Sequence, residues 1–140
     1  MRDLVRREGL EGRIEIDSAG TGGWHVGEPP DPRATAAAQA RGIAMEGAAR
    51  QVSRADFDRY DLLLAADREN LAALRAVAPD AETAGKVRLL RGFDPAAVAG
   101  GDLDVPDPYY GGAAGFEDVL DLVEAACRGL VEHLRAAGRV

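Results

Sequence analysis

The chain predicts an α/β fold, a parallel sheet with helices on both faces, and three observations lead there. Short apolar runs alternate with amphipathic stretches along its length. Leu62-Leu63-Leu64-Ala65-Ala66 is apolar on both faces, as a central strand in a covered parallel sheet must be. Phe116, Val119, Leu120, Val123, Cys127, Leu130, Val131 and Leu134 form one stripe at i, i+3, i+4, i+7 spacing, which marks a long helix. A length of 140 residues fits one domain over 1–140, with no repeat or linker dividing it. Such a chain buries roughly 68% of its unfolded surface, enough for a single core.

The elements follow in order. Residues 2–8 read as the last turns of a helix stopped at Gly9, with no capping residue ahead of them. Arg13-Ile14-Glu15-Ile16-Asp17 alternates polar and apolar, the period of a strand with one exposed face. Asp31-Pro32 is an N-cap with proline at the first helical position, opening an alanine-rich helix to about Arg41 that Gly42 ends. Ser53 and Asp56 have capping-box spacing and open a short helix to about Asp58. Asp67 caps a helix whose apolar positions are Leu71, Leu74 and Ala78. Lys86-Val87-Arg88-Leu89 alternates again as a half-exposed strand, and residues 92–114, rich in Gly and Pro, read as a long loop.

Composition narrows the function. A net charge of −7 argues against broad nucleic-acid binding, which needs stripes of Lys and Arg. One cysteine excludes an internal disulfide and suits a reducing cytoplasm. One cysteine and two histidines leave little for a zinc centre. No run approaches the ~20 apolar residues of a membrane span, and the charged start lacks the apolar core of a signal peptide.

Few residues carry chemistry. Gly20 to Gly23 follows a strand and has backbone N–H groups for an anion, yet matches no nucleotide-binding fingerprint and reads by itself as a turn. Cys127 lies on the apolar stripe and reads as a small buried hydrophobe, with His133 rather than a phosphate-binding arginine six residues on. His133 and His25 read as solvated residues without an oriented partner. Pro106-Asp107-Pro108-Tyr109-Tyr110 supports two readings, an ordinary Asp-Pro turn or a carboxylate on a stiff backbone beside apolar rings, suited to general acid work. Trp24, Tyr109 and Tyr110 fall outside the periodic core positions, either as surface anchors or as walls of a slot for a flat ring.

Taken together, Asp17-Ser18-Ala19-Gly20-Thr21, the run from Trp24 to Ala34, Ala49-Arg50-Gln51, Asp67-Arg68-Glu69-Asn70-Leu71 and Asp107-Pro108-Tyr109-Tyr110 resemble the low-molecular-weight protein-tyrosine phosphatases, in order and at compatible spacing. The resemblance implies a flavodoxin-like, doubly wound sheet of strand order 2-1-3-4. It implies hydrolysis of phosphotyrosine monoesters, in proteins or small aryl phosphates, through a phosphocysteine. Asp107 would be the proton donor, Trp24, Tyr109 and Tyr110 the substrate slot, and Ser18, Asp67 and Asn70 the supports of the phosphate loop. No metal or organic cofactor is implied, nor any nucleic acid or membrane partner.

The family's first, central strand and its Cys-X5-Arg-Ser loop have no counterpart among these residues. The expectation is therefore an N-terminally incomplete domain without nucleophile or phosphate clamp, inactive as it stands, whose reading frame begins upstream of Met1. A non-catalytic phosphotyrosine- or protein-binding module on the same fold is the alternative. An arsenate reductase, which needs further redox cysteines, is disfavoured.

Overall fold

The computed structural model describes residues 1–23, 26–107 and 112–140, the last stretch by backbone alone at 112–114. Helix α1 spans Arg2–Arg7 and stops where Gly9 takes a φ of +70°, with no side chain capping Met1. Helix α2 spans Pro32–Ala40; the Asp31 carboxylate accepts the Arg33 and Ala34 N–H groups, and Gly42 ends the helix at a φ of +75°. Helix α3, Arg54–Arg59, opens where the Asp56 carboxylate accepts the Ser53 N–H at 2.8 Å.

Strand β1, Leu63–Ala65, leads through helices α4, Arg68–Val77, and α5, Ala81–Ala84, to strand β2, Val87–Leu89. The strands are parallel, with Leu63 opposite Val87 and Ala65 opposite Leu89. The crossover helix packs back on its own strands, since Phe57, Leu63, Ala65, Leu74 and Val87 form one buried cluster. The sheet is thus smaller than expected: two strands are laddered among the described residues, beside one parallel bridge between Gly20 and Gln51.

Residues 13–17 are not a strand, which corrects one expectation. Their alternation is still used, because Ile14 and Ile16 are half-buried against Val5, Leu10 and Val131 while Arg13, Glu15 and Asp17 face water. A strand needs a neighbour's ladder as well as a buried face, and this segment has only the face.

The loop expected over 92–114 is also corrected. A 3₁₀ turn occupies Leu90–Phe93 and helix α6 spans Pro95–Gly100, with the Asp94 carboxylate accepting the Ala96 N–H at 3.1 Å. Asp94-Pro95 is the same cap-and-proline signature as Asp31-Pro32. Helix α7 runs Gly112–Ala136, one turn earlier than its apolar stripe indicates, and is tied to the end of α2 by Arg41, which pairs with Glu117, Asp121 and Glu124. Its closest approach is to the 3₁₀ turn: a Cβ at Gly129 would lie 2.8 Å from the carbonyl carbon of Phe93 and nearer still to its oxygen. Glycine there lets helix and backbone touch.

Candidate functional site

Asp67 and Asn70, two of the side chains singled out by sequence, follow the carboxyl end of β1, where open α/β sheets place their sites. Ala66 follows β1, and its carbonyl accepts the Val105 N–H at 2.8 Å. That bond lays the segment leading to Asp107 along the end of the strand. Asp67 comes next and caps α4, its carboxylate accepting the Asn70 N–H at 2.7 Å, with both side chains half-buried. Asp67, Asn70 and the approach to Asp107 therefore form one hydrogen-bonded corner. Asp107 itself is exposed.

Asp104 reinforces the corner. Its carboxylate accepts the Arg68 N–H at 2.9 Å and the Arg68 guanidinium at 3.3 and 3.2 Å. These bonds from Arg68, side chain first, hold the Asp104 carboxyl below the ordinary aspartate range. The Arg91 Nη1 donates to the Asp104 carbonyl at 2.5 Å.

Ser18 belongs to a second corner. Its N–H donates to the Asp17 carboxylate at 2.8 Å, and Asp17 also accepts from Arg50 Nε at 3.1 Å. The Arg50 guanidinium then grips Asp56 through two bonds of 2.9 and 3.0 Å. Asp56 is only 8% exposed, and the Arg50 bonds, foremost, hold its carboxyl down. Asp17 is held down chiefly by the Ser18 N–H and then by Arg50. Backbone bonds continue the frame: Gly20 N–H to Arg50, Val52 N–H to Gly20, and Gly27 N–H to Ala49. Gly20 and Gly27 are thereby strapped to residues 49–52.

Trp24, His25, Tyr109 and Tyr110, three of them expected to wall a slot, lie outside the described residues. Cys127 is buried among Ala126, Leu130 and Val131 on α7, as the stripe indicates. His133 is exposed as expected, but its ring meets Phe93 edge-on at 5.1 Å. Sequence reasoning missed the pairings of Arg50, Arg68, Arg91 and Asp104. Arg50 and Arg68 stand inside motifs already noted, whereas nothing in the spacing marks Arg91 or Asp104.

A parallel βαβ unit with capped helices defines an α/β fold, and comparison with known proteins shows the family. The chain belongs to the low molecular weight phosphotyrosine protein phosphatase family, whose model matches residues 1–140. A low molecular weight protein-tyrosine-phosphatase of Streptomyces coelicolor is 54% identical over 96% of this chain and 81% of its own length. The Bacillus subtilis enzyme YfkJ is 42% identical over 96% and 83%. The YfkJ crystal structure superposes with a TM-score of 0.87 over 97% of this chain and 82% of that one, at 39% identity. A protein tyrosine phosphatase of Entamoeba histolytica superposes at 0.90 over 98% and 85%, at 30% identity. Phosphotyrosine-containing substrates follow for the family. No helix among the described residues is long and apolar enough to cross a membrane.

Proposed function

We propose that this chain, a single cytoplasmic domain, carries the leaving-group side of phosphotyrosine monoester hydrolysis, with Asp107 as proton donor. As a thiolate attacks phosphorus and the bond to the tyrosyl oxygen breaks, Asp107 gives its proton to that oxygen. It then takes a proton from the water that frees phosphate from sulfur. Such transfer contributes typically ~10²–10⁴-fold. Trp24, Tyr109 and Tyr110 would receive the ring, and Ser18, Asp67 and Asn70 would brace the phosphate loop. The observation that carries the reading is the Val105–Ala66 bond, which brings the Asp107 segment to the strand end beside Asp67 and Asn70.

The sole cysteine of the 140 residues, Cys127, is buried with a histidine six positions on, so it is not read as the attacking thiol. Purified, sequence-verified 1–140 polypeptide should therefore show no turnover of 4-nitrophenyl phosphate. Turnover that disappears in Cys127→Ser would overturn this. Titration with a phosphotyrosine peptide tests the binding-module reading, which the burial of Cys127 keeps in play: saturable binding without turnover establishes it, and weak, non-saturating binding removes it.

A further inference from the structure

Arg91 is buried, 7% exposed, and its Nε is the buried side-chain polar atom without a hydrogen-bond partner among the described residues. It sits in the 3₁₀ turn beneath α7, and its nearest carboxylate, that of Asp102, is 3.8 Å away and largely in solvent. A desolvated, half-satisfied cation is a poor way to stabilise a core, since an apolar side chain of similar volume commonly does as well or better. Its one close bond goes to a backbone carbonyl, that of Asp104. Arg68 holds the carboxylate of the same residue from the first turn of α4, and Ala66 holds the next N–H. Three elements thus grip two consecutive residues just ahead of Asp107.

We propose that Arg91 on the Asp104 carbonyl, with Arg68 on the Asp104 carboxylate, is a positioning residue that sets the path of segment 102–107 and hence the place of the Asp107 carboxylate. The proposal rests on the reading of Asp107 as proton donor. A planar guanidinium locked by packing presents its N–H in a fixed direction, which suits it to steering a backbone rather than adding stability. The bond to the carbonyl acts on the chain path whatever side chain residue 104 carries. Arg68, whose side chain is 74% exposed, completes the clasp from solvent without serving the core.

The test is Arg91→Met in the 1–140 chain, followed by amide hydrogen exchange and denaturation. The expected result is an unchanged or raised denaturation midpoint, with Val105 exchange faster by about tenfold, the population change of roughly 1.4 kcal/mol. Exchange at Phe57 and Val87 should not move, and the order parameter of the Asp107 amide should fall. Arg91→Lys, which keeps a donor for the same carbonyl, should recover part of the protection. A lowered midpoint with exchange quickened throughout, or an unmoved Val105, overturns the proposal. If Arg91→Met does not fold, Arg68→Met decides: faster exchange confined to Val105 at constant midpoint supports the clasp, and its absence overturns it. These readouts need no substrate, so the clasp is tested apart from the donor reading, which falls by itself if Asp107→Asn leaves turnover unchanged in a form of the protein supplied with a nucleophilic thiol.

Discussion

Replacing Gly129 by alanine sets two opposite effects against each other. In an isolated helix the change stabilises, since glycine in a helix interior costs about 0.5–1 kcal/mol relative to alanine. Here the added methyl would lie 2.8 Å from the Phe93 carbonyl carbon and closer to its oxygen, inside the 3.0 Å that Cβ contacts essentially never cross. The obstacle is backbone, held in a 3₁₀ turn whose Arg91 and Phe93 are buried, so it cannot rotate away as a side chain would. Helix and turn must part by a distance on the order of 1 Å, and overpacking of that kind costs about 1–3 kcal/mol, occasionally more. The steric effect exceeds the propensity gain, and a net loss of about 2 kcal/mol is expected. For a chain of this size that lowers Tm by roughly 6–10 °C. Urea denaturation followed by circular dichroism measures the loss at unchanged m-value. Gly100→Ala is the control, because a Cβ there meets open space. Gly129→Ala as stable as the parent would refute the contact between α7 and the turn.

Other outcomes follow from the acidic corners. Asp56→Ala removes the acceptor of the Ser53 N–H and leaves Arg50, a third exposed, without its nearer carboxylate, for an expected loss of about 2 kcal/mol by denaturation. Asp56 has a folded-state pKa below its unfolded value of about 3.9, so its contribution is present above that pH and lost as pH falls through the folded value. Stability of the parent should therefore decline with acidification below about pH 5, and more gently in Asp56→Asn; parallel profiles would show that the pairing with Arg50 carries no linkage. Asp67→Ala removes the cap of α4 and should cost about 1 kcal/mol, with amide protection lost first at Asn70.

Much of the fold was legible in the chain because the signals are local. Asp31-Pro32 and Gly42 bound α2, Asp67 opens α4, and the stripe through Cys127 places that thiol inside α7, all from side chains acting within a turn or two of themselves. The misreadings have the same origin. Asp94-Pro95 is as good a cap as Asp31-Pro32, but the glycines and prolines around it carry the composition of a loop and mask α6. Residues 13–17 carry a strand's alternation, yet a strand also requires a partner ladder, which no local pattern specifies.

The candidate site divides along the same line. Ser18, Asp67, Asn70 and Asp107 stand out because each lies inside a short run resembling a known family, and it is the family that is borne out, over residues 1–140. What surrounds them was not identifiable. Asp17 meets Arg50 across 33 residues, Arg68 meets Asp104 across 36, and Arg41 meets Glu117 across 76. The sequence by itself determined the caps and the apolar faces, since these depend on neighbours along the chain. Only the tertiary structure decided which carboxylate each guanidinium reaches and which helix backbone touches the 3₁₀ turn. Those outcomes depend on distances through space, which folding sets and composition does not.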